Sequence, residues 1–227
     1  MQNLHAIILA AGRGKRMQSD LPKVLHVLGK SPLLWHVLDE VKAAGINSAT
    51  VVVSYKKELV QESVAAWAKA NPSLHINFAD QGDPKGTGHA VLACEAQVPA
   101  GKNILVCLGD VPGIQSKTIN RIYNEFQAAA PSALVISMKL PDPKGYGRIV
   151  RSENGISGIV EERDASPDVK NIDEVNTGIF FFKHSDIWPA LKKIEPQNAQ
   201  GEYYLTDIVQ ILLKDGKKVS AYLHPDA

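Results

Sequence analysis

The chain has 227 residues, 44% hydrophobic and 22% charged, and carries a formal net charge of +1. That composition supplies a buried core for one large α/β domain or two small ones. It argues against a general nucleic-acid or membrane-surface binder, since both need a positive excess gathered into a patch, but a small anionic ligand needs only a few placed cations.

The opening run, Leu4 to Ala10, is almost continuously apolar, as befits a strand covered on both faces. It is too short to cross a bilayer, which takes roughly 18 to 20 residues. It also leads into glycines where a signal peptide would have its cleavage site. Ser31-Pro32 then opens a helix with Leu33, Leu34, Val37, Leu38 and Val41 on one face; Pro32 suits the first helical position and Gly45 the stop. Ala49 to Val53 reads as a second strand, followed by a helix carrying Leu59, Val60, Val64, Trp67 and Ala68, and His75 to Ala79 as a third. A polar loop precedes a helix starting near Thr87. Asn103 to Leu108 is a fourth buried strand, ending in Gly109-Asp110. Ser116 is the expected cap of the next helix, which turns Ile119, Ile122, Tyr123 and Phe126 inward, and Ala133 to Leu140 is a fifth strand. Alternation at this spacing predicts an α/β fold, a Rossmann-like and mostly parallel sheet with helices on both faces.

The rhythm changes from Pro141. Gly147 to Arg151 and Ile156 to Glu161 are joined by Glu153-Asn154-Gly155, a strong hairpin signal. Thr177 to Lys183 is another strand. Helical patterns at Ser185 to Lys193 and Tyr204 to Lys214 precede a last strand, Val219 to Leu223. This part reads as a smaller β-rich lobe inserted in one domain to form the far wall of a cleft, with about 1–140 and 141–227 as its two portions. Cys94 and Cys107 lie in apolar surroundings without CxxC or histidine spacing. They read as buried free thiols and fit a reducing cytoplasm.

The sharpest local feature is Leu9-Ala10-Ala11-Gly12-Arg13-Gly14-Lys15-Arg16-Met17, directly after the first strand. A glycine turn there lets backbone N–H groups approach a phosphate, at the place where open α/β sheets bind ligands. The loop is no dinucleotide fingerprint, because Met17 holds the third glycine position. Gly29-Lys30-Ser31 is no Walker loop, because Val24 stands where the first glycine belongs. Pro22 fixes the chain direction just before Lys23, so Arg16 and Lys23 concentrate positive charge around one strand end. A triphosphate and its charged transition state call for that.

LAAGRGKRM followed by LPK resembles the signature of sugar-nucleotide pyrophosphorylases. Gln81 with Lys85-Gly86-Thr87-Gly88-His89-Ala90, Leu108-Gly109-Asp110-Val111-Pro112, Gly145-Tyr146-Gly147-Arg148, Glu161, Asn176-Thr177-Gly178 and Asn198 to Asp207 follow in order. Together, from residue 4 to about 225, they resemble the N-terminal uridyltransferase domain of the bifunctional bacterial N-acetylglucosamine-1-phosphate uridyltransferases and glucosamine-1-phosphate acetyltransferases.

The resemblance implies transfer of UMP from UTP to N-acetylglucosamine 1-phosphate, giving UDP-N-acetylglucosamine and pyrophosphate. Arg16 and Lys23 would be catalytic. Leu9, Ala10, Ala11 and Gly12 would contact the nucleotide, with Gln81, Gly86 and Thr87 reading the uracil edge beside Leu108 and Gly109. Gly147, Glu161 and Asn176, helped by Thr177, would hold the sugar. Of the neighbours Glu161 and Glu162, only one can face the cleft, because adjacent strand residues point to opposite faces. Glu202 to Tyr204 and Asp207 would brace the lobe. Asp110, at a strand end in the same crevice, is the candidate ligand for Mg2+, with a turn or capping role as the alternative.

Two departures from the pattern stand out. Lys15 replaces the usual threonine, and the sequence stops before an asparagine that helps hold the metal and before the β-helix acetyltransferase domain. The resemblance implies trimers assembled through that β-helix, and so a monomer for this chain in the cytoplasm. A pyrophosphorylase for another sugar or nucleotide, or a nucleotide-sugar binding module without turnover, stay open alternatives.

Overall fold

A computed structural model describes residues 3–14 and 17–225. In chain order the elements are β1 (Leu4–Leu9), a short ribbon of β2 (Val27–Leu28) and β3 (Ser31–Pro32), α1 (Leu33–Ala43), β4 (Ser48–Val53), α2 (Lys57–Ala70), β5 (His75–Asp80), α3 (Thr87–Leu92), β6 (Asn103–Leu108), α4 (Ser116–Ala129) and β7 (Ala133–Lys139). The hairpin β8 (Arg148–Ser152) and β9 (Gly155–Val160) follows, then α5 (Pro167–Lys170), β10 (Glu174–Phe182), α6 (His184–Leu191), α7 (Ile208–Lys214) and β11 (Val219–Leu223).

The central sheet runs β11-β7-β10-β6-β1-β4-β5. β1 pairs in parallel with β4 and β6, β4 with β5, and β7 with β11, whereas β10 is antiparallel to both β6 and β7. The expected mostly parallel sheet is therefore present. The later part of the chain is not spatially separate, because β10 and β11 return into this sheet and only the β8–β9 hairpin stands beyond it, joined to β10 at Val175↔Arg148.

Side-chain alternation divides the core into two layers. On one face Leu4, Ala6 and Ile8 of β1, Leu105 of β6 and Phe181 of β10 pack with Leu34, Val37, Val64, Trp67, Ile122 and Phe126 from α1, α2 and α4. On the other, Ile7, Ile104, Val106, Phe180 and Phe182 meet Val91, Ile187, Trp188, Leu191, Ile208 and Leu212 from α3, α6 and α7. Strands buried on both faces need such near-continuous apolar runs. The exception in β1 is His5, fully buried with its ring nitrogens 3.0 Å from Ser48 Oγ and 2.9 Å from Thr50 Oγ1. Burial, with Lys102 nearby, lowers its pKa to about 4, so the ring is neutral. Cys94 and Cys107 are buried as expected, and burial pushes both thiols up to about 12.

β10 carries the irregularity that shapes the cleft. Its register shifts between Asn176 and Phe180, across Gly178 at φ +79°. A Cβ on Gly178 would lie 2.7 Å from Leu108 Cδ1, so only glycine lets the bulge lie against the end of β6. The strand begins at Glu174, earlier than the expected Thr177, because Glu174–Asn176 also pair with β7. The pattern at Tyr204 to Lys214 divides into a 3-10 turn, Leu205–Asp207, and α7.

Two helix starts differ from expectation. Pro32 sits in the β2–β3 ribbon and precedes the first helical residue, Leu33. Ser116 does not cap α4: it is the first helical residue, and its backbone N–H donates to Glu40 Oε2 at 2.6 Å. A carboxylate from α1, 76 positions earlier, thus supplies the anion that the helix start favours. Glu40→Ala is expected to lower the unfolding free energy by about 1 kcal/mol, read from urea titration.

Candidate active site

In the sheet order β1 lies between β4 and β6, so the chain leaves β1 for one side and later returns to the other. Open α/β sheets bind ligands at such a switch point, beyond the carboxyl ends of the strands. Here those ends are Leu9 and Leu108, directly paired. Gly109 continues the contact: its N–H donates to Leu9 O at 2.9 Å, and a Cβ there would lie 3.1 Å from Leu9 O and 3.2 Å from Leu34 Cδ1 and Val24 Cγ1. The close approach aims Asp110 across the mouth of the glycine loop.

Two cavities meet at this point, one of 260 Å³ and one of 740 Å³, and Leu9, Thr87 and Leu108 line both. The smaller holds Ala11, Gly12, Lys23, Gln81, Gly86 and Asp110. The larger holds Gly147, Glu161 and Asn176. Sequence positions scattered from 9 to 176 thus converge on one cleft. Ala10 and Gly109 line neither cavity. Ala10 is 1% exposed and donates its N–H to Val52 O, so these two shape the site from behind. Arg16, named from sequence as catalytic, lies outside the described residues.

Lys23 begins a 3-10 turn, Lys23–Leu25, whose Val24 and Leu25 are buried and anchor it. Its Nζ is ion-paired with Asp110 Oδ2, with side chains 41% and 19% exposed. A pair this open to water adds little stability. What it provides is one cation and one anion held ready beside the glycine loop. Arg13 adds a second cation there, stacked 5.0 Å above the Tyr55 ring.

The opposite side of the smaller cavity is built from the start of α3. The buried Gln81 donates its Nε2 to Gly86 O at 3.0 Å, and that nitrogen also lies 3.2 Å from His89 Nδ1. The segment 198–205 straps this turn in place. Tyr203 N–H donates to Lys85 O at 2.7 Å, Gly88 N–H to Tyr203 O at 2.8 Å, and Leu205 N–H to Thr87 Oγ1 at 3.0 Å. Gly86, at φ +115°, leaves no room for more: a Cβ would stand 2.5 Å from Tyr203 O. The bracing expected of Glu202 to Tyr204 and Asp207 on the sugar lobe takes another form: Tyr203 and Leu205 make these contacts, and they grip the base of the nucleotide side. Glu202 also lines the smaller cavity, which no local sequence signal indicated.

In the larger cavity the two neighbouring glutamates do part, but β9 ends at Val160, before the expected Glu161, so the turn that follows and not strand alternation separates them. Glu161 accepts from Thr206 Oγ1 at 3.0 Å and faces the cavity. Glu162 instead pairs with Arg148 Nη2 at 2.7 Å, and Arg148 is only 1% exposed. The Asn176 N–H donates to Gly147 O at 2.8 Å, and its Oδ1 accepts from Gly178 N–H at 3.0 Å. Thr177 also lines this cavity, with its hydroxyl proton donated to Ile136 O at 2.7 Å. The wall is pinned to β10 by Arg151, whose Nε and Nη2 each lie 2.7 Å from a Glu174 oxygen.

Burial pushes the Glu161 carboxyl above its ordinary 4.5, with Asp207 and Asp164 adding to the rise and the Thr206 hydrogen bond opposing it. The folded chain therefore holds this proton more tightly than the unfolded one. Ionised Glu161 costs stability at neutral pH, and the cost fades as pH falls through its raised pKa. Glu161→Gln is accordingly expected to resist urea better than the parent at neutral pH, with the advantage shrinking in acid.

The nucleotidyl transferase family profile matches residues 5–227. "Bifunctional protein GlmU" of Clostridium beijerinckii is 41% identical over 217 residues, covering 95% of this chain and 46% of the relative. The protein of that name from Acetivibrio thermocellus is 43% identical over 223 residues, covering 97% and 47%. The chain thus spans about half the length of the curated relatives it matches. Among solved structures, apo UDP-glucose pyrophosphorylase superposes with a TM-score of 0.82 at 18% identity, over 98% of this chain and 90% of that one. UDP-glucose pyrophosphorylase complexed with UDP-glucose gives 0.80 at 19%, over 98% and 91%. These two likenesses speak to the fold alone, whereas the family match runs through both halves of the cleft: the chain belongs to the nucleotidyl transferase family.

Proposed function

We propose that this chain transfers UMP from UTP to N-acetylglucosamine 1-phosphate, forming UDP-N-acetylglucosamine and pyrophosphate in the cytoplasm. The observation that carries the reading is the junction at Leu9, Thr87 and Leu108, where a cavity bearing Lys23 and Asp110 opens into one bearing Glu161 and Asn176. Two substrates bound in adjoining cavities have their reacting groups brought together at the shared wall, which removes most of the entropic cost of a bimolecular encounter. The family match and the GlmU relatives support the same chemistry.

The sugar phosphate is already anionic at neutral pH, so its oxygen attacks the α-phosphorus of UTP without a general base. A new P–O bond forms as the bond from the α-phosphorus to the bridging oxygen breaks, and pyrophosphate leaves with the electron pair. The protein's work is alignment and charge neutralisation. Ala11 and Gly12 let the nucleotide approach the end of β1. Lys23 and Arg16 steady the triphosphate and the leaving pyrophosphate. Gln81 Oε1 faces the base, and an acceptor there matches the N3–H of uracil. In the larger cavity Glu161 accepts from sugar hydroxyls and Asn176 holds the N-acetyl side.

A divalent cation fits the donors present: Mg2+ takes one or two carboxylates and completes its shell with phosphates and water. Asp110 is the carboxylate that would hold it, exchanging its ion pair with Lys23 for the metal. Bound there, Mg2+ would supply charge neutralisation on the reacting phosphates.

Lys23→Ala and Arg16→Ala are each expected to cut turnover roughly 10²-fold, the scale of losing one preorganised electrostatic contact. The measurement is pyrophosphate release with UTP and N-acetylglucosamine 1-phosphate, run beside other nucleoside triphosphates and sugar phosphates. Wild-type rates in both variants remove them from the mechanism; a faster reaction with another pair of substrates reassigns the cavities.

A further inference from the structure

A glutamine amide means opposite things according to which way round it sits. Its oxygen accepts and its nitrogen donates, so a turned-over amide fits the complementary base edge. Gln81 is 7% exposed, and its orientation is fixed from the protein side. Nε2 lies 3.0 Å from Gly86 O and 3.2 Å from His89 Nδ1, which takes up both of its hydrogens. Oε1 receives no hydrogen bond from the described residues and is left to the smaller cavity, which Gln81 lines.

We infer that His89 is a positioning residue for base selection: its Nδ1 lone pair holds the Gln81 amide oxygen toward the nucleotide, so the site accepts a base with N3–H and rejects one whose N3 is an acceptor. The inference rests on the uridyl-transfer reading above and adds to it the residue that sets the pyrimidine. Uracil and thymine carry N3–H; cytosine presents a lone pair there. Against cytosine, Oε1 would face N3 acceptor to acceptor.

Three features support the assignment. His89 lines neither cavity, so it acts through Gln81 and not on the substrate. Its protonation state is compatible: partial burial, then the nearby Lys85 charge, hold its pKa below the ordinary 6.5, which favours the neutral ring, and with Gly86 O already turning the amide NH2 this way, the tautomer that matches it carries its proton on Nε2 and a lone pair on Nδ1. A protonated ring would set N–H against the amide NH2 and favour the flipped amide. The ring is also held from behind. It belongs to α3, whose Thr87 and Gly88 are bonded to the 198–205 strap, and it lies 6.3 Å from the Tyr203 ring. Gly86 O alone would still orient the amide, but with one acceptor in place of two.

The test is equilibrium binding of UTP and CTP in magnesium buffer, by calorimetry, to the parent chain, His89→Asn and His89→Leu; no turnover is needed. Asparagine keeps an acceptor oxygen near the place of Nδ1, and leucine keeps the bulk without it. The parent and His89→Asn are expected to share one preference for UTP, and in His89→Leu that preference should narrow about tenfold, the scale of one hydrogen bond left unmade. If His89→Leu weakens both nucleotides equally, or His89→Asn narrows the preference as much, the positioning role is overturned while the uridyl reading stands. A parent that does not prefer UTP overturns the reading and the inference together.

Discussion

The contact on which the rest of this molecule depends is the parallel pairing of β1 with β6, continued by Gly109 N–H on Leu9 O. Parallel strands expose their carboxyl ends on the same edge, so this one pairing sets the glycine loop and Asp110 side by side although they are about a hundred positions apart. The register is strongly specified because Ile7, Ile8, Val106 and Cys107 are all buried to 1% or less. A slip by one residue would turn every one of these side chains to the wrong layer.

The larger cavity depends on a different device. β10 enters the sheet against the grain, and the bulge around Gly178 lets its first residues leave β6 and take up β8. The hairpin is then fastened by two separate ion pairs, Arg148 with Glu162 and Arg151 with Glu174. Arg148 is the costlier element, a guanidinium at 1% exposure whose Nη1 also donates to Tyr146 O and whose Nη2 lies 3.3 Å from Lys170 O. Removing Glu162 would strand that buried guanidinium, which is far more disruptive than never having had the pair. That expense fixes the backbone of Gly147, and with it the wall that faces Glu161.

The order of strands and helices was legible because the sheet is buried on both faces, so its strands read as short apolar runs divided by amphipathic helices. Helix starts were less legible. Ser116 looks like a local cap, but Glu40, which satisfies the backbone there, comes from another helix, and no window around residue 116 contains it. The same distinction separates the site residues. Lys23, Gln81, Asp110 and Glu161 stand in motifs that resemble a family pattern and meet in the cleft as expected. Glu202 reaches the smaller cavity only because its segment docks on α3, a contact made between main chains that leaves almost no trace in side-chain chemistry. Thr177 stands in the cavity wall as its motif suggests, but its hydroxyl proton goes to Ile136 O, a partner on a strand 41 positions earlier.

The strap at 198–205 has a consequence for how this protein tolerates change. It holds the nucleotide side mainly through peptide groups: Tyr203 gives its N–H to Lys85 and its carbonyl to Gly88, while Leu205 gives an N–H to Thr87. Peptide groups are the same in every residue, so these particular contacts do not themselves select the side chains of Tyr203 and Leu205. The constraint falls instead on what the strap touches, where the space beside Gly86 and Gly88 is already filled by Tyr203. The clasp is thus written mostly into the opposite partner, whose turn at Gly86 is one of the least forgiving in the cleft.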